Sequence, residues 1–220
     1  MSFNFDLVIQ SFPLLLLGAG ITIKITALSV GLGMIIGMFV GIARISHVTP
    51  LRMLAAVYID FLRGTPLLVQ IFLIYFALPL MLDQRVDPFV AAITACGINS
   101  GAYVAEIIRA GIMSVDNGQF EAGRSLGFNY VQTMLYIIIP QMVKNVLPAL
   151  CNEFIVLIKE TSIAGYIGIM DLTKAGDLIR GRTFSAYLPL LGVAFIYLML
   201  VLILTHLVGQ LERRLRVNER

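Results

Sequence analysis

Between Lys24 and Arg44 no residue carries a charge, and the run Ile25 to Ala43 is long enough to cross about 30 Å of hydrocarbon. At that depth backbone N–H and C=O groups find no water. A run of this kind is therefore predicted to fold as a helix whose hydrogen bonds close within itself. The rest of the chain has the same character: 59% of its residues are hydrophobic, only 13% are charged, and the mean hydropathy is +0.91. A soluble domain carries about a quarter charged residues, so the composition is that of an all-α integral membrane protein. The formal charge of +3 does not indicate nucleic acid, because the basic residues fall beside apolar runs. Cys96 and Cys151 lie in apolar contexts without metal-ligand spacing and read as packing residues. Met1 to Asp6 has no basic stretch, and no cleavable leader is expected.

Five spans are expected. Span one is Ile25 to Ala43, preceded by Leu7 to Ile23, which Pro13, Gly18 and Gly20 are expected to break, so that residues 1–24 form an extracellular or interfacial lead-in. Span two runs from about Leu54 to Leu82, with Gly64 and Pro66 as a kink site and Asp60 and Arg63 paired across one turn. Span three is about Pro88 to Ile112, and Glu106 and Arg109 suit an ion pair on one helix face. Span four starts near Val131 and carries Lys144 and Glu153. The run Ile163 to Met170, too short to cross, reads as a broken or re-entrant element. Span five, about Phe184 to Leu211, has no acid or base, and 212–220 form a basic tail. The domain bounds are thus 1–24, 25–211 with an internal loop over 116–140, and 212–220.

Ten of the sixteen lysines and arginines fall on one side of these spans: Arg44, Arg52, Arg63, Arg109, Arg124, Lys144, Arg213, Arg214, Arg216 and Arg220. Arg85, Lys159, Lys174, Arg180 and Arg182 fall on the other, and Lys24 is expected to snorkel to an interface. The more basic side is the expected cytoplasm, which puts the N-terminus outside and the C-terminus inside.

That topology places a polar island, Glu121-Ala-Gly-Arg-Ser-Leu-Gly127, in the cytoplasm. Asp116 is a good N-cap, and Gln119 three residues on completes a capping-box pattern. Gly127 stands where a helix ends in the left-handed conformation. A helix over Asn117 to Leu126 is predicted, with Phe120, Gly123 and Gly127 along one side for close approach by another surface.

Glu121-Ala122, then Gly127, then Ile137-x-Ile139-Pro140 resembles the EAA loop of membrane subunits of ATP-binding-cassette importers, most closely the polar amino acid permeases of histidine, arginine and glutamine uptake. Arg63-Gly-Thr-Pro-Leu-Leu-Val-Gln70, Tyr103-Val-Ala-Glu-Ile-Ile-Arg109, Asn152-Glu-Phe-Ile-Val-Leu-Ile-Lys-Glu-Thr-Ser162 and Leu211-Glu-Arg-Arg-Leu215 fit the same group, so the resemblance covers almost the whole chain. Gly123 departs from it, standing where a second alanine is usual. The resemblance implies a type I importer permease in a bacterial cell membrane. It implies two cytoplasmic ATPases, a second permease that is identical or related, and an extracellular or periplasmic solute-binding protein that delivers an amino acid. Asp116, Gln119, Glu121, Ala122, Gly123, Gly127 and Pro140 would form the ATPase-coupling loop. No Gly-x-x-x-x-Gly-Lys-Ser/Thr phosphate loop occurs in the chain, so the chain needs no cofactor of its own, and ATP and magnesium belong to the partner ATPase.

A charge at mid-membrane costs roughly 2.5–3.5 kcal/mol on insertion scales, which makes Glu153 the leading candidate for the substrate path. Asn152, Glu160, Thr161 and Ser162 beside it, and Asn99 and Ser100 in span three, would add donors and acceptors for a zwitterion. Two readings of Glu153 stay open: it meets a cationic substrate, or it neutralises Lys144 or Lys159 in an outer vestibule. His206 reads as a packing residue, and the glycines of Gly31-Leu-Gly33 and Gly37-x-x-x-Gly41 as close helix contacts, including contacts between protomers. No catalytic or metal-binding residues are expected: no His-Glu-x-x-His site occurs, and the chain has only two histidines. A channel or secondary transporter would explain the spans but not the capped cytoplasmic helix.

Overall fold

The computed structural model describes residues 5–217. The first four residues of the expected lead-in and the last three of the expected tail, Arg220 among them, lie outside these. Among the described residues every regular element is helical.

The first helix, α1 (Phe5–Ile45), runs through Pro13, Gly18 and Gly20 without a break. The expected lead-in is, over its described part, the first half of the same helix as span one. Gly18 is a contact point and not a breaker: a Cβ there would lie 2.8 Å from the Asp171 carbonyl oxygen. Close packing offsets the roughly 1 kcal/mol that glycine costs in a helix.

Span two is two arms and not one kinked rod. Helix α2 (Thr49–Gly64) and the segment Leu67–Leu82 meet at 106°. Pro66 has no N–H and pushes the residue before it into extended backbone; Thr65 accordingly has φ −118° and ψ 144°. The second arm consists of α3 (Leu67–Phe72), a π-helical turn (Leu73–Ala77) and α4 (Leu78–Leu82).

Helix α5 (Pro88–Met113) matches the expected third span and is capped by Asp87, whose carboxylate accepts from the N–H groups of Phe89 and Val90. It packs along α1 through a two-sided ladder. A Cβ at Gly33 or Gly37 of α1 would collide with Ser100 or Val104, one at Gly41 would press on Ile108 at 3.2 Å, and one at Gly97 or Gly101 of α5 would collide with Leu32 or Ile36. Small residues let helices approach closely where lipid supplies no hydrophobic drive between them. Gly33, Gly37 and Gly41 thus serve contacts within one chain, where contacts between protomers had also been expected.

After α5 come α6 (Asn117–Ser125), α7 (Tyr130–Thr133), a second π-helical turn (Met134–Ile138) and α8 (Ile139–Glu160). Both π turns have one cause. The N–H groups of Leu78 and Ile139 each reach back five residues, to Leu73 and Met134, and each stands immediately before a proline. Widening the turn draws the carbonyl four residues back away from the proline ring, which a regular helix would force into collision. The run Ile163 to Met170 is not a separate re-entrant element: a 3₁₀ turn (Thr161–Ile167) continues directly from α8 and ends at Gly168, φ +87°. Helices α9 (Leu172–Thr183) and α10 (Tyr187–Val217) complete the chain.

Among the described residues, four helices are long and apolar enough to cross a membrane, or five crossings if the bent pair counts as one. Their outward faces carry large exposed apolar side chains such as Leu17, Phe39, Leu54 and Phe195. A patch of that size is a liability in water and an ordinary surface in lipid. One end of the bundle holds α6, the ends of α1 and α5 and the start of α8; the other holds α9, the first half of α1 and the 3₁₀ turn.

Candidate functional site

Local chemistry builds the α6 end. Asp116 accepts from the N–H of Gly118 at 2.7 Å and starts the helix. The reciprocal box expected between Asp116 and Gln119 does not form, because the Gln119 side chain instead accepts from Gln141 at 3.3 Å. The box appears one helix later, between Asn129 and Gln132, with both bonds at 2.9 Å. At the other end Gly127 adopts φ +87°, as expected. The N–H of Phe128 reaches the Gly123 carbonyl and that of Gly127 the Arg124 carbonyl, the paired bonds of a Schellman motif.

Glu121, Ala122, Arg124 and Leu126 are exposed, whereas Gly123 is buried. A Cβ at Gly123 would lie 2.8 Å from Thr133 Cγ2 and 2.9 Å from Ile137 Cδ1. The surface that approaches Gly123 is the chain's own α7 and π turn, which corrects its expected exposure to a partner, and an added methyl there would require Thr133 and Ile137 to shift. Phe120 packs with Val115, Ile138, Met142 and Val146, and its ring meets that of Tyr130, which meets His47 beyond α1. Pro140 is exposed and opens α8 directly above the π turn. The loop is a plate seated on the base of α8 with one polar face outward.

The second polar region lies between α5 and α8, inside the bundle. Ser100, midway along α5, donates to Glu153 Oε1 at 3.1 Å. One turn along the same α5 face, the Arg63 guanidinium sits 5.1 Å from the centre of the Tyr103 ring. This aromatic contact replaces the Asp60 partner expected for Arg63. The other predicted site residues are not gathered around Glu153. Asn99 is 4% exposed and donates to Gln70 Oε1 and the Leu62 carbonyl, so it serves the α2–α3 elbow instead of facing a ligand. Thr161 is fully buried, donates to the Ile158 carbonyl and meets Thr26 Oγ1 at 3.4 Å, so it is spent on helix packing. Asn152 is exposed, and Glu160 and Ser162 are half-buried. Glu160 lies two turns beyond Glu153 on α8, about 10 Å along the axis.

Two groups at the centre went unassigned in the sequence, Gln70 and Tyr58, which donates to the Ile98 carbonyl at 2.6 Å, whereas Ser100, expected in the same site, is the partner of Glu153. The signal for Gln70 was present. Pro66 leaves the carbonyl four residues before it without a helical donor, and some side chain must supply one.

Glu106 and Arg109 form the expected pair, with two nitrogen–oxygen contacts of 2.9 and 2.5 Å. At the α9 end Asp171 is buried and accepts from the N–H groups of Thr173 and Lys174 at 3.1 and 3.0 Å. Burial raises its carboxyl above the ordinary range, against the pull of those bonds. Asp177 is exposed to solvent, and its hydrogen bond from Arg180 holds its carboxyl below the usual range. A cavity of about 110 Å³ between α1, α8 and α10 is lined by Ile23, Thr26, Phe154, Ile158, Leu200, Ile203 and Leu204 and includes none of the predicted site residues.

With this geometry in view, known proteins supply the comparison. Residues 33–217 match the family described as "Binding-protein-dependent transport system inner membrane component". The chain is 40% identical over 219 residues to the arginine transport system permease protein ArtQ of Bacillus subtilis (strain 168), covering 100% of both chains. It is 39% identical over 218 residues to the glutamine transport system permease protein GlnP of Escherichia coli (strain K12), covering 99% of this chain and 100% of that one. Among solved structures, a chain from the crystal structure of an amino acid ABC transporter with histidines superposes with a TM-score of 0.93 at 43% identity, over 97% of this chain and 100% of that one. A chain of the inward-facing MetNI methionine ABC transporter shares the fold, with a TM-score of 0.78 at 18% identity over 92% of this chain and 96% of that one.

Proposed function

Because the chain belongs to the family of binding-protein-dependent transport system inner membrane components, with the fold of a type I ABC importer permease, we propose that it lines the translocation pathway of an ATP-driven importer for a polar, basic amino acid. The observation that carries the substrate reading is Glu153. Its carboxylate is half-buried inside the bundle and accepts its hydrogen bond from a neutral hydroxyl, that of Ser100. A carboxylate so placed is costly and is best satisfied by a passing cation, such as the side chain of arginine or lysine. Relatives are named for arginine, a cation, and for glutamine, a neutral amide; both support a polar amino acid, and the preference for a cation rests on Glu153.

In this reading the chain is a transport subunit and not an enzyme. Two cytoplasmic ATPases bind and hydrolyse ATP with magnesium, a second permease completes the pathway, and a solute-binding protein delivers the amino acid from outside. The N-terminus lies outside and the C-terminus in the cytoplasm, on the side of α6. The exposed face of α6, with Glu121 and Ala122, docks on an ATPase, where the carboxylate can take a charge-assisted hydrogen bond. Asp116, Gln119, Gly123, Gly127 and Pro140 shape and seat that face. Force on α6 passes through Phe120 and Ile137 to the base of α8, and α8 carries it about 20 Å to Glu153.

The test is uptake in vesicles that hold the whole complex and its binding protein. Arginine should accumulate only with hydrolysable ATP, and Glu121→Ala should cut the rate by an order of magnitude. Uptake that persists with an ATPase unable to hydrolyse ATP would overturn the importer reading.

A further inference from the structure

The elbow between α2 and α3 leaves hydrogen-bonding groups without helical partners. Because Pro66 has no N–H, the Leu62 carbonyl lacks the donor that a continuous helix would bring. A buried acceptor left unpaired costs on the order of 1–3 kcal/mol. Two side chains fill the gap. Gln70 Nε2 donates to the Leu62 carbonyl at 2.8 Å, to Thr65 Oγ1 at 2.9 Å and to the Thr65 carbonyl at 3.1 Å. Asn99 Nδ2, from α5, donates to the same Leu62 carbonyl at 3.3 Å and to Gln70 Oε1 at 3.0 Å. Thr65 closes the set by donating to the Phe61 carbonyl at 2.9 Å. Gln70 and Asn99 are 5% and 4% exposed. Each amide carries two N–H bonds, and all four are taken.

The clamp lies against the site by two routes. Asn99 is followed on α5 by Ser100, which donates to Glu153. Ile71, next to Gln70, is fully buried in the same cluster as Leu157, one turn beyond Glu153 on α8. We infer that Gln70 and Asn99 are positioning residues of the transport site. They hold the 106° elbow rigid against α5, set the placement of Ser100 and Glu153, and have no N–H left with which to bind the amino acid. The inference rests on the proposed transport role of Glu153.

The test uses the reconstituted complex with its ATPase and binding protein, and measures ATP hydrolysis against arginine and, separately, glutamine. Gln70→Ala should raise the half-saturating concentration of arginine by about tenfold, the scale of one lost buried partner. That of glutamine should rise less, because Glu153 meets the charge of arginine, and the maximal rate should be kept. Asn99→Ala, which removes one of two donors to Leu62, should move both in the same direction by less, and it carries the test if the Gln70 variant does not assemble. An unchanged half-saturation in an assembled variant, as expected of residues that only support the fold, overturns the proposal. So does an equal shift when Gln70→Ala is added to Glu153→Gln, which would mean an action that does not pass through Glu153. The Glu153 reading is tested by Glu153→Gln alone, so its failure appears in a different variant.

Discussion

At the α6 end, Asp116 caps Gly118 two positions away, and Asn129 and Gln132 cap each other across three. At the centre, Ser100 meets Glu153 across fifty-three positions and Asn99 meets Leu62 across thirty-seven. The α6 plate is built from short-range bonds that form wherever a helix starts or stops. The centre exists only when α1, α2, α5 and α8 are already in register. Damage to the plate should therefore stay local and spare the fold, whereas damage to the centre should spread.

The sharpest way to break this contrast is Gly37→Leu. A Cβ at Gly37 would lie 2.5 Å from Val104 Cβ and 2.9 Å from the Gly101 carbonyl oxygen. Overpacking of this kind costs about 1–3 kcal/mol or more, and here it sits in the ladder that aligns Ser100. The purified complex should melt several degrees lower and transport should be lost, with partial recovery when Val104→Ala is added. Gly127→Pro comes next. Proline holds φ near −65°, whereas Gly127 has φ +87° and donates to the Arg124 carbonyl. Stimulation of the ATPase should fall by an order of magnitude or more while the melting midpoint stays within a degree or two of wild type. A large fall in the midpoint would mean that the plate and the bundle are one cooperative unit.

Asp116→Ala and Asn129→Ala should each cost about 1 kcal/mol of local helix stability. Hydrogen exchange should show faster opening confined to α6 and α7. The smallest effect is expected at the far end. The Asp177–Arg180 pair is solvent-exposed, and Arg180→Ala should leave the melting midpoint unchanged. Because the folded-state pKa of Asp177 is depressed, whatever the pair contributes is present above the ordinary carboxylate range and is lost as pH falls through that lowered value. A wild-type advantage that grows on acidification would contradict this sign.

The same division explains what could be read from residues alone. The bounds of α5, the N-cap at Asp116 and the left-handed stop at Gly127 depend on neighbours in sequence, and the structure bears them out. The inward face of Gly123, the use of the α1 glycines against α5 and the commitment of Asn99 to the elbow depend on which helix lies opposite, which periodicity does not encode. Pro13 shows the limit from the other side: proline lowers helix stability locally, and tertiary packing of α1 overrides it. Pro66 succeeds in breaking the chain because Thr65, Gln70 and Asn99 stabilise the break.

The central claim is that Glu153 recognises the positive charge of the transported amino acid. Its most direct test is Glu153→Gln in the reconstituted complex, comparing arginine with glutamine as stimulators of ATP hydrolysis. The account predicts that the half-saturating concentration of arginine rises by about tenfold or more while that of glutamine moves little, since a charge-assisted bond is worth roughly 1.5–3 kcal/mol. Equal responses to the two amino acids in wild type and variant alike would contradict it.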